Sequence, residues 1–450
     1  MAALDDIDTI VIVMMENRSF DHVLGCLHHP QYGNRADIEG LVDPAATTAY
    51  DNFYDNQVYK PFPMADKVLP HDLPHTRKTI ATQMDVTNGQ ATMAGFVTAY
   101  VNETQSAVDQ PPPLGFQVPP GVPITRFLAD EYLVCNKWFA PVPTGTQPNR
   151  AVAFTGNTMI EDNVTGLIPH DQLVLDWLTD HNVRWRVYHS GLSFFLLFDP
   201  LMDFFDTQFR RIHDLARDFQ DEQTGRFPQV IFIEPEYEDS PIHMGFTPND
   251  NHPPLSMGPG EAFLHTVYSA LTSNPKRWAR TMMILTYDEH GGFFDHAEPP
   301  ALLMNPPAGA SYTDPFVTAG PRIPAIVVSP LTKRGSVSNE LFDHTSMLQL
   351  LAEKFAGGPR NYSDDVNDRI DQGVKSLSVT LNRTTARHDL PLAPSSPIVT
   401  EMHYQGGSKK PMSENQIAFR AAALQHLQAN RKRATRNFPE LAMLSNDDDA

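Results

Sequence analysis

The sequence predicts an α/β fold in which a mostly parallel central sheet is flanked by helices. Short apolar runs rich in β-branched or aromatic residues lie at 10–15, 183–188, 230–234, 281–287 and 323–329. Helical patterns with suitable end signals lie at 172–180, 261–272 and 346–355, and this alternation is typical of a βα-wound sheet. The run at 10–15 contains no polar residue, which predicts a strand buried on both faces.

The chain is too long for a single simple core. Its 450 residues exceed the roughly 250–300 residues at which single cores stop growing. We therefore expect one large domain over 1–400 and a C-terminal tail over 401–450, with a helix at 413–437. The segments 32–64 and 194–225 fit no element of the alternating pattern, and we predict that they are loop insertions that roof the site.

Composition excludes several classes of protein. The net charge of −20 repels phosphate backbones, so nucleic acid is not an expected partner. No run approaches the roughly 18 apolar residues of a membrane span, and the N-terminus carries Asp5, Asp6 and Asp8 where a signal peptide carries basic residues. Two cysteines, Cys26 and Cys135, are too few for a disulfide scaffold; their pairing stays open.

The first candidate site residues follow the strand predicted at 10–15. Glu16 and Asn17 come directly after it, and ligands of open α/β sheets bind just beyond the carboxyl ends of strands. The alternative is that Asn17 caps a following helix, as asparagine often does. The segment alone does not decide between ligand and cap.

A second polar strand end follows the run at 281–287. Asp288 and Glu289 stand there side by side, and Gly291 and Gly292 come next. Two adjacent carboxylates at the end of a buried strand repel each other unless a cation or strong donors lie nearby. Helix capping or a surface position is the alternative, but the glycines and nearby ionisable residues favour a functional role.

Thr146 is the candidate nucleophile. Pro148 suits the first turn of a helix, so Thr146 is expected just ahead of a helix N-terminus, where free amides and the dipole favour an anion. By itself a threonine there is usually only a cap. Together with the two polar strand ends it indicates a hydroxyl nucleophile, because such a hydroxyl needs a metal or a base to ionise near neutral pH.

Histidines complete the candidate set. His75, His189 and His252 follow loops or strand ends, whereas His344 stands where a helix cap is expected and is predicted to be structural. With 18 histidines in the chain, most must be structural or exposed. The motifs of serine hydrolases, zincins, P-loops and dinucleotide-binding proteins are absent from the sequence.

Four motifs resemble those of a bacterial phosphoesterase family that contains phosphatidylcholine-type phospholipases C and a related metal-dependent acid phosphatase. They are Met-Glu-Asn-Arg-Ser-Phe-Asp at 15–21, Thr-Gln-Pro-Asn-Arg at 146–150, Asn-His-Pro-Pro at 251–254 and Tyr-Asp-Glu-His-Gly-Gly at 287–292. They occur in the family's order and span most of the chain. The long C-terminal domains of some members are missing from this sequence.

The resemblance implies an alkaline-phosphatase-like fold with one metal ion. The implied metal ligands are Glu16, Asn17, Thr146, Asp288 and Glu289. Thr146 is the implied nucleophile, and His75, His189 and His252 are the implied phosphate-binding and proton-donating residues. An oxygen-only ligand set favours Ca²⁺, with Mg²⁺ or Zn²⁺ as alternatives.

The expected activity is hydrolysis of phosphatidylcholine-type phospholipids to diacylglycerol and phosphocholine through a phosphothreonine intermediate. An acid phosphatase with the same nucleophile is the main alternative; a sulfatase, and a non-catalytic choline- or phospholipid-binding protein, are remote ones. Tyr188 is included as a substrate-binding residue, because aromatic rings bind quaternary ammonium, with core packing as its alternative.

Partners and location follow from the same resemblance. We expect a phospholipid substrate, transient contact with a membrane surface and a possible homo-oligomer through the C-terminal tail. Secretion or a periplasmic location is implied, although the sequence shows no signal peptide.

Overall fold

The strands follow the apolar runs of the sequence. The computed structural model describes residues 4–87, 89–198, 204, 207–223, 225–243, 247–397, 399 and 412–444. The strands within these residues are β1 (Thr9–Met15), β2 (Asn52–Tyr54), β3 (Gln57–Tyr59), β4 (Phe62–Met64), β5 (Val86–Thr87), β6 (Gln90–Ala91), β7 (Gly115–Gln117), β8 (Leu133–Trp138), β9 (Trp185–His189), β10 (Phe209–Arg211), β11 (Val230–Glu234), β12 (Thr281–Tyr287), β13 (Ala325–Val328) and β14 (Ser336–Phe342).

The helices occupy most of the intervals between these strands. They are α1 (Phe20–Val23), α2 (Arg77–Met84), α3 (Phe96–Thr104), α4 (Pro123–Glu131), α5 (Thr146–Thr155), α6 (Val174–Asp180), α7 (Leu215–Asp221), α8 (Gly258–Thr272), α9 (Pro275–Trp278), α10 (Thr345–Phe355), α11 (Asp364–Asp371) and α12 (Glu414–Asn437). Among the described residues, no helix has both the length and the apolar character that crossing a membrane requires.

Eight strands form the central sheet, in the order β10-β9-β11-β1-β12-β13-β8-β14. All neighbouring pairs are parallel except those on either side of β13, which runs antiparallel to both β12 and β8. The predicted α/β class with a mostly parallel sheet is therefore confirmed. Because seven strands run in one direction, their carboxyl ends meet at one edge of the sheet.

Three strands of the sheet were not predicted, because their sequences are more polar than those of the central strands. Strand β8 contains Asn136 and Lys137, and β14 is mostly half-buried, with one fully buried residue. The third, β10, lies within 194–225, which we expected to be an insertion; it forms an edge of the sheet and is followed by α7. Strands β10 and β14 are the two edges of the sheet, and an edge strand needs no continuous apolar run, since one side has no neighbouring strand.

The C-terminal helix begins where the sequence predicts. Ser413 caps α12 in a capping box with Gln416, although Asn430 interrupts the helical conformation. The expected domain boundary at residue 400 lies at a position outside the described residues, and the separate tail stays a prediction.

A buried arginine joins the ends of three elements near the carboxyl edge of the sheet. Arg322, which precedes β13, bonds Asp21 of α1 (Nη2 to Oδ1, 3.2 Å) and Asp295, which follows β12 (Nε to Oδ1, 3.1 Å). Asp21 also contacts His296. Although Asp21, Asp295 and His296 are spaced closely enough to hold a metal ion, the Arg322 guanidinium already compensates these carboxylates, so we interpret the group as structural.

Replacing this arginine should destabilise the fold. Arg322→Met leaves two buried carboxylates without their cation, and the expected loss in the free energy of unfolding is about 3–5 kcal/mol. Chemical denaturation measures it. The double variant Arg322→Met/Asp295→Asn, which removes one of the two charges as well, should recover part of the loss; an equally large loss in both variants would contradict this role.

Candidate active site

The two polar strand ends predicted from the sequence, Glu16-Asn17 and Asp288-Glu289, lie side by side at the carboxyl edge of the sheet. Strands β1 and β12 are parallel neighbours in which Met15 pairs with Tyr287. All seven residues of each strand are buried. The chain therefore delivers Glu16 and Asp288, the next residue of each strand, to adjacent positions.

Asn17 is held in an unusual backbone conformation. Its φ is 58°, a left-handed region that asparagine tolerates better than most residues. Its backbone N–H donates to Oδ1 of Asp288 at 3.0 Å. A Cβ atom on Gly291 would come within 2.0 Å of the Asn17 carbonyl oxygen, so this close approach requires glycine. The cap of α1 is Ser19, which removes the helix-cap alternative for Asn17.

Thr146 is the first residue of α5, rather than the residue just ahead of the helix as predicted. Gly145 occupies the N-cap position and makes no side-chain cap, and all ten residues of α5 are buried. The Oγ1 of Thr146 lies 3.3 Å from Oδ1 of Asn17. The hydroxyl therefore points to the strand ends instead of capping its own helix.

Four side-chain oxygens converge around the Asn17 amide. Its Oδ1 lies 2.9 Å from Oε1 of Glu289 and 3.2 Å from Oδ1 of Asp288, in addition to the Thr146 contact. Two carboxylate oxygens against an amide oxygen repel one another unless a cation lies among them. A rotated amide would instead donate its NH₂ group to both carboxylates. The cluster thus fits a hard cation in the first orientation and is internally hydrogen-bonded in the second.

Arg150 forms ion pairs with two of the buried carboxylates, Glu16 and Asp288. It lies one turn after Thr146 on α5, so both side chains share a helix face. Its Nη2 is 3.0 Å from Oε1 of Glu16, and its Nε is 3.3 Å from Oδ2 of Asp288. The other oxygen of Glu16, Oε2, is buried and has no hydrogen-bond partner among the described residues, so it remains available as a ligand.

Two of the predicted histidines border this cluster. Nε2 of His252 lies 2.8 Å from the Asn17 amide nitrogen, and Nε2 of His75 lies 3.4 Å from it. Nδ1 of each ring contacts a backbone carbonyl oxygen, that of Leu73 for His75 and that of Pro253 for His252. These carbonyls fix the rings with Nε2 directed at the cluster. Nε2 of His252 accepts from the Asn17 NH₂ group in the first amide orientation and donates to the amide oxygen in the rotated one.

Further acids that were not predicted from the sequence surround the histidines. Asp72 groups with His75 and His252, and Asp239 groups with Glu16 and His252, at spacings that could hold a metal ion. Burial lowers the pKa of His252, but Asp72, Asp239 and Glu16 outweigh it and raise that pKa well above its ordinary value. Burial also lowers the pKa of His75, but Glu289 and Asp72 outweigh this effect, so the pKa of His75 is raised as well.

Burial and neighbouring charges shift the pKa values of the two adjacent carboxyl groups, Asp288 and Glu289, in opposite directions. Burial raises the pKa of Asp288 to about 6, against the opposing effect of Arg150. For Glu289 the effect of burial is outweighed by His75 and His290, and its pKa is lowered. Glu289 therefore keeps its negative charge more readily than Asp288, as a cation ligand should.

The structure places two predicted site residues elsewhere. Nδ1 of His189 lies 2.7 Å from the Gly191 carbonyl oxygen, and its ring packs against Phe438. Burial, together with Arg211, lowers the pKa of His189 to about 3. Tyr188 donates its hydroxyl to Asp218. Neither contacts the oxygen cluster, because β9 is separated from β1 by β11; core packing, the alternative considered for Tyr188, matches its position.

Two other histidines, His344 and His290, contact Asp288 and Glu289. Nε2 of His344 lies 2.7 Å from the Asp288 carbonyl oxygen, and the Trp138 indole donates to its Nδ1 at 3.3 Å. His290 lies between Glu289 and Gln83. The structural role predicted for His344 agrees with these contacts.

The C-terminal helix reaches the candidate site from outside the sheet. Asn415 accepts a hydrogen bond from the side-chain amide of Gln147 at 2.8 Å, next to Thr146. Ser413 donates to Oδ1 of Asp239 at 2.7 Å, and Phe419 packs against Phe194 and Tyr237. The helix thus packs on its own chain; association between chains through it stays a prediction.

The fold and the buried cluster define an α/β protein with a candidate cation site at the carboxyl ends of its central strands. A family model described as the Phosphoesterase family matches residues 7–356, and the chain belongs to this family. The resemblance found in the sequence is therefore confirmed.

Similar proteins carry phospholipase names. Non-specific phospholipase C1 of Arabidopsis thaliana is 30% identical over 368 residues, which cover 76% of this chain and 65% of that protein. Phospholipase C A of Mycobacterium tuberculosis is 28% identical over 405 residues, which cover 78% of this chain and 73% of that protein. The chain thus spans about two thirds to three quarters of the length of these relatives.

Solved structures match at low identity. A phosphonate monoester hydrolase of Agrobacterium radiobacter has a TM-score of 0.37 at 10% identity, covering 83% of this chain and 77% of that one. A protein in the alkaline phosphatase superfamily from Vibrio parahaemolyticus has a TM-score of 0.31 at 12% identity, covering 71% of this chain and 83% of that one.

The role of Asn17 can be tested without disturbing its backbone. Asn17→Gly removes the side-chain oxygen, and glycine adopts a φ of 58° without strain. We expect Ca²⁺ affinity, measured by calorimetric titration, to fall at least about tenfold, as for damage to other metal sites. Asn17→Asp keeps both the oxygen and the backbone preference and should retain binding. Unchanged affinity in Asn17→Gly would show that the amide is not a ligand.

Proposed function

We propose that the protein is a metal-dependent phospholipase C that hydrolyses phosphatidylcholine-type phospholipids to diacylglycerol and phosphocholine. One observation carries the proposal: the Thr146 hydroxyl, at the start of a buried helix, contacts the Asn17 amide, which in turn contacts the carboxylates of Asp288 and Glu289. The names of the plant and mycobacterial relatives favour a phosphodiester of a lipid as the substrate. Transient contact with a membrane surface would deliver this substrate.

Thr146 is suited to attack a phosphoryl group. Its position as the first residue of the ten-residue helix α5 places any bound phosphate at the positive end of the helix dipole. In the first step its Oγ1 forms a bond to phosphorus while the bond from phosphorus to the diacylglycerol oxygen breaks. In the second step water attacks the phosphothreonine, the bond to Oγ1 breaks, and phosphocholine leaves.

His75 and His252 are the candidate proton donors and acceptors. Nearby carboxylates raise the pKa of both rings, so a protonated ring can give its Nε2 proton to the departing alkoxide. The resulting neutral imidazole can then take a proton from the attacking water, as general acid–base catalysis requires. His189, although included in the sequence prediction, has no contact that supports such a role.

A metal ion fits the cluster described above. Glu16, Asn17, Thr146, Asp288 and Glu289 would hold it, with Arg150 limiting the negative charge that remains. When bound, a divalent cation supplies Lewis-acid chemistry, since it withdraws charge from phosphoryl oxygens and favours ionisation of a nearby hydroxyl. The oxygen-only ligands favour Ca²⁺ over Mg²⁺ or Zn²⁺.

Two chromogenic substrates distinguish the diesterase from the acid phosphatase alternative. We expect p-nitrophenylphosphorylcholine to be hydrolysed with a higher kcat/KM than p-nitrophenyl phosphate. Chelation should abolish turnover, and Ca²⁺ should restore it. Preference for the monoester would favour the phosphatase, and turnover of neither substrate at any metal concentration would contradict an enzymatic role with these esters.

Removal of the Thr146 hydroxyl tests the nucleophile. Thr146→Ala should reduce kcat by at least about a thousandfold, as loss of a nucleophile does in other hydrolases. Thr146→Ser keeps a hydroxyl and should retain most of the activity. Metal content, measured on the same samples, is expected to stay near one ion per chain in the serine variant. An alanine variant that turns over at the original rate would exclude Thr146 as the nucleophile.

A further inference from the structure

A large basic cavity lies at the opposite edge of the sheet from the candidate active site. Its volume is about 620 Å³, within the range of about 300–1,000 Å³ that small-molecule sites occupy. Thr9 at the start of β1, Gln229 just before β11 and Arg280 just before β12 all line it. The cavity therefore opens at the amino ends of the three central strands.

Five cationic side chains line this cavity although the whole chain carries a net charge of −20. They are Arg184, Lys276, Arg277, Arg280 and Lys354. Of these, Arg280 pairs with Asp8 and, more loosely, with Asp6. Lys354 donates to the Leu4 carbonyl oxygen at 2.9 Å. No carboxylate among the described residues pairs with Arg184, Lys276 or Arg277, so the cavity has an excess of positive charge.

Arg277 presents an unsatisfied donor in this wall. Its guanidinium stacks over the Phe227 ring at 3.8 Å from the ring centre, and its Nη2 donates to the Glu222 carbonyl oxygen at 2.5 Å. Its Nη1 is buried and has no hydrogen-bond partner among the described residues. Burial lowers the pKa of Arg277 against the opposing effect of Glu222, and it lowers the pKa of Lys354 against the opposing effects of Asp5 and Asp8.

We propose that this cavity is a second ligand site, which binds a phosphomonoester dianion. A guanidinium held flat by an aromatic ring offers a planar fork of N–H donors, the arrangement that matches phosphate oxygens. Several converging cations suit a dianion better than a single carboxylate. The Arg277 guanidinium, which lines the cavity, would bind the phosphate, and Lys276 and Arg184 would neutralise the remaining charge.

This site is separate from the hydrolytic one. Strand β1 has seven residues between the two edges and rises by about 3.3 Å per residue. A ligand at the amino edge therefore leaves Thr146 and the oxygen cluster accessible. The phosphate group could belong to a soluble phosphomonoester or to the head group of phosphatidic acid, because both present the same dianion.

Calorimetric titration with methylphosphonate, which phosphoesterases do not hydrolyse and which is a dianion in alkaline solution, tests the soluble ligand at alkaline pH and low ionic strength. Vesicles of phosphatidylcholine with and without phosphatidic acid test the lipid by co-sedimentation. For the probe that binds, Arg277→Met should raise the Kd about tenfold, the loss expected for one charge-assisted hydrogen bond. Lys276→Met, at an exposed position that should not affect folding, should raise it severalfold.

Matched controls identify the place of binding. Lys375→Met removes another exposed lysine, elsewhere on the chain, that forms no ion pair with any described residue, and it should leave binding unchanged. Asn17→Gly removes a residue of the candidate active site and should also leave this binding component unchanged. Binding of neither probe, equal weakening by Lys276→Met and Lys375→Met, or loss of the component in Asn17→Gly would overturn the proposal.

Discussion

The structure depends on opposing the negative charge of the carboxylates that are buried together at the carboxyl ends of the central strands. Glu16, Asp288 and Glu289 are almost fully buried, and like charges at this distance destabilise a low-dielectric interior unless cations or donors oppose them. The protein supplies Arg150, backbone N–H groups and two histidines. The cation that we propose would lie among the oxygens that face one another when the Asn17 amide oxygen is turned towards Asp288 and Glu289.

Two neighbouring acidic groups are compensated in different ways. Around Asp21 and Asp295, Arg322 makes direct ion pairs and also donates to two backbone carbonyl oxygens, so the protein alone satisfies the group. Around Asn17, the guanidinium of Arg150 pairs with Glu16 and Asp288, and no ion pair joins it to Glu289 among the described residues. This difference separates a structural ion-pair network from a site that can take a ligand, although both contain the same residue types.

The C-terminal helix contributes to the site even though it lies outside the region matched by the family model. Its first turn contacts Gln147 and Asp239, and its aromatic residue Phe419 packs against the rings that hold Arg150. Gln147 is in turn bonded to Asn163 and Val164. The start of α5, and with it Thr146, is thereby fixed on several sides, which is the preorganisation that a nucleophile requires.

The sequence by itself determined the central strands and the residues at their ends. Buried parallel strands such as β1 and β12 need continuous apolar runs, and polar residues directly after such runs stand out, so Glu16, Asn17, Asp288 and Glu289 could be located without coordinates. Only the tertiary structure decided which of the other candidate residues lie beside them and which residues not predicted from the sequence do so as well. Arg150 and Asp239 approach through helix and loop packing, while His189 remains two strands away, because distance across a sheet depends on strand order and not on position along the chain.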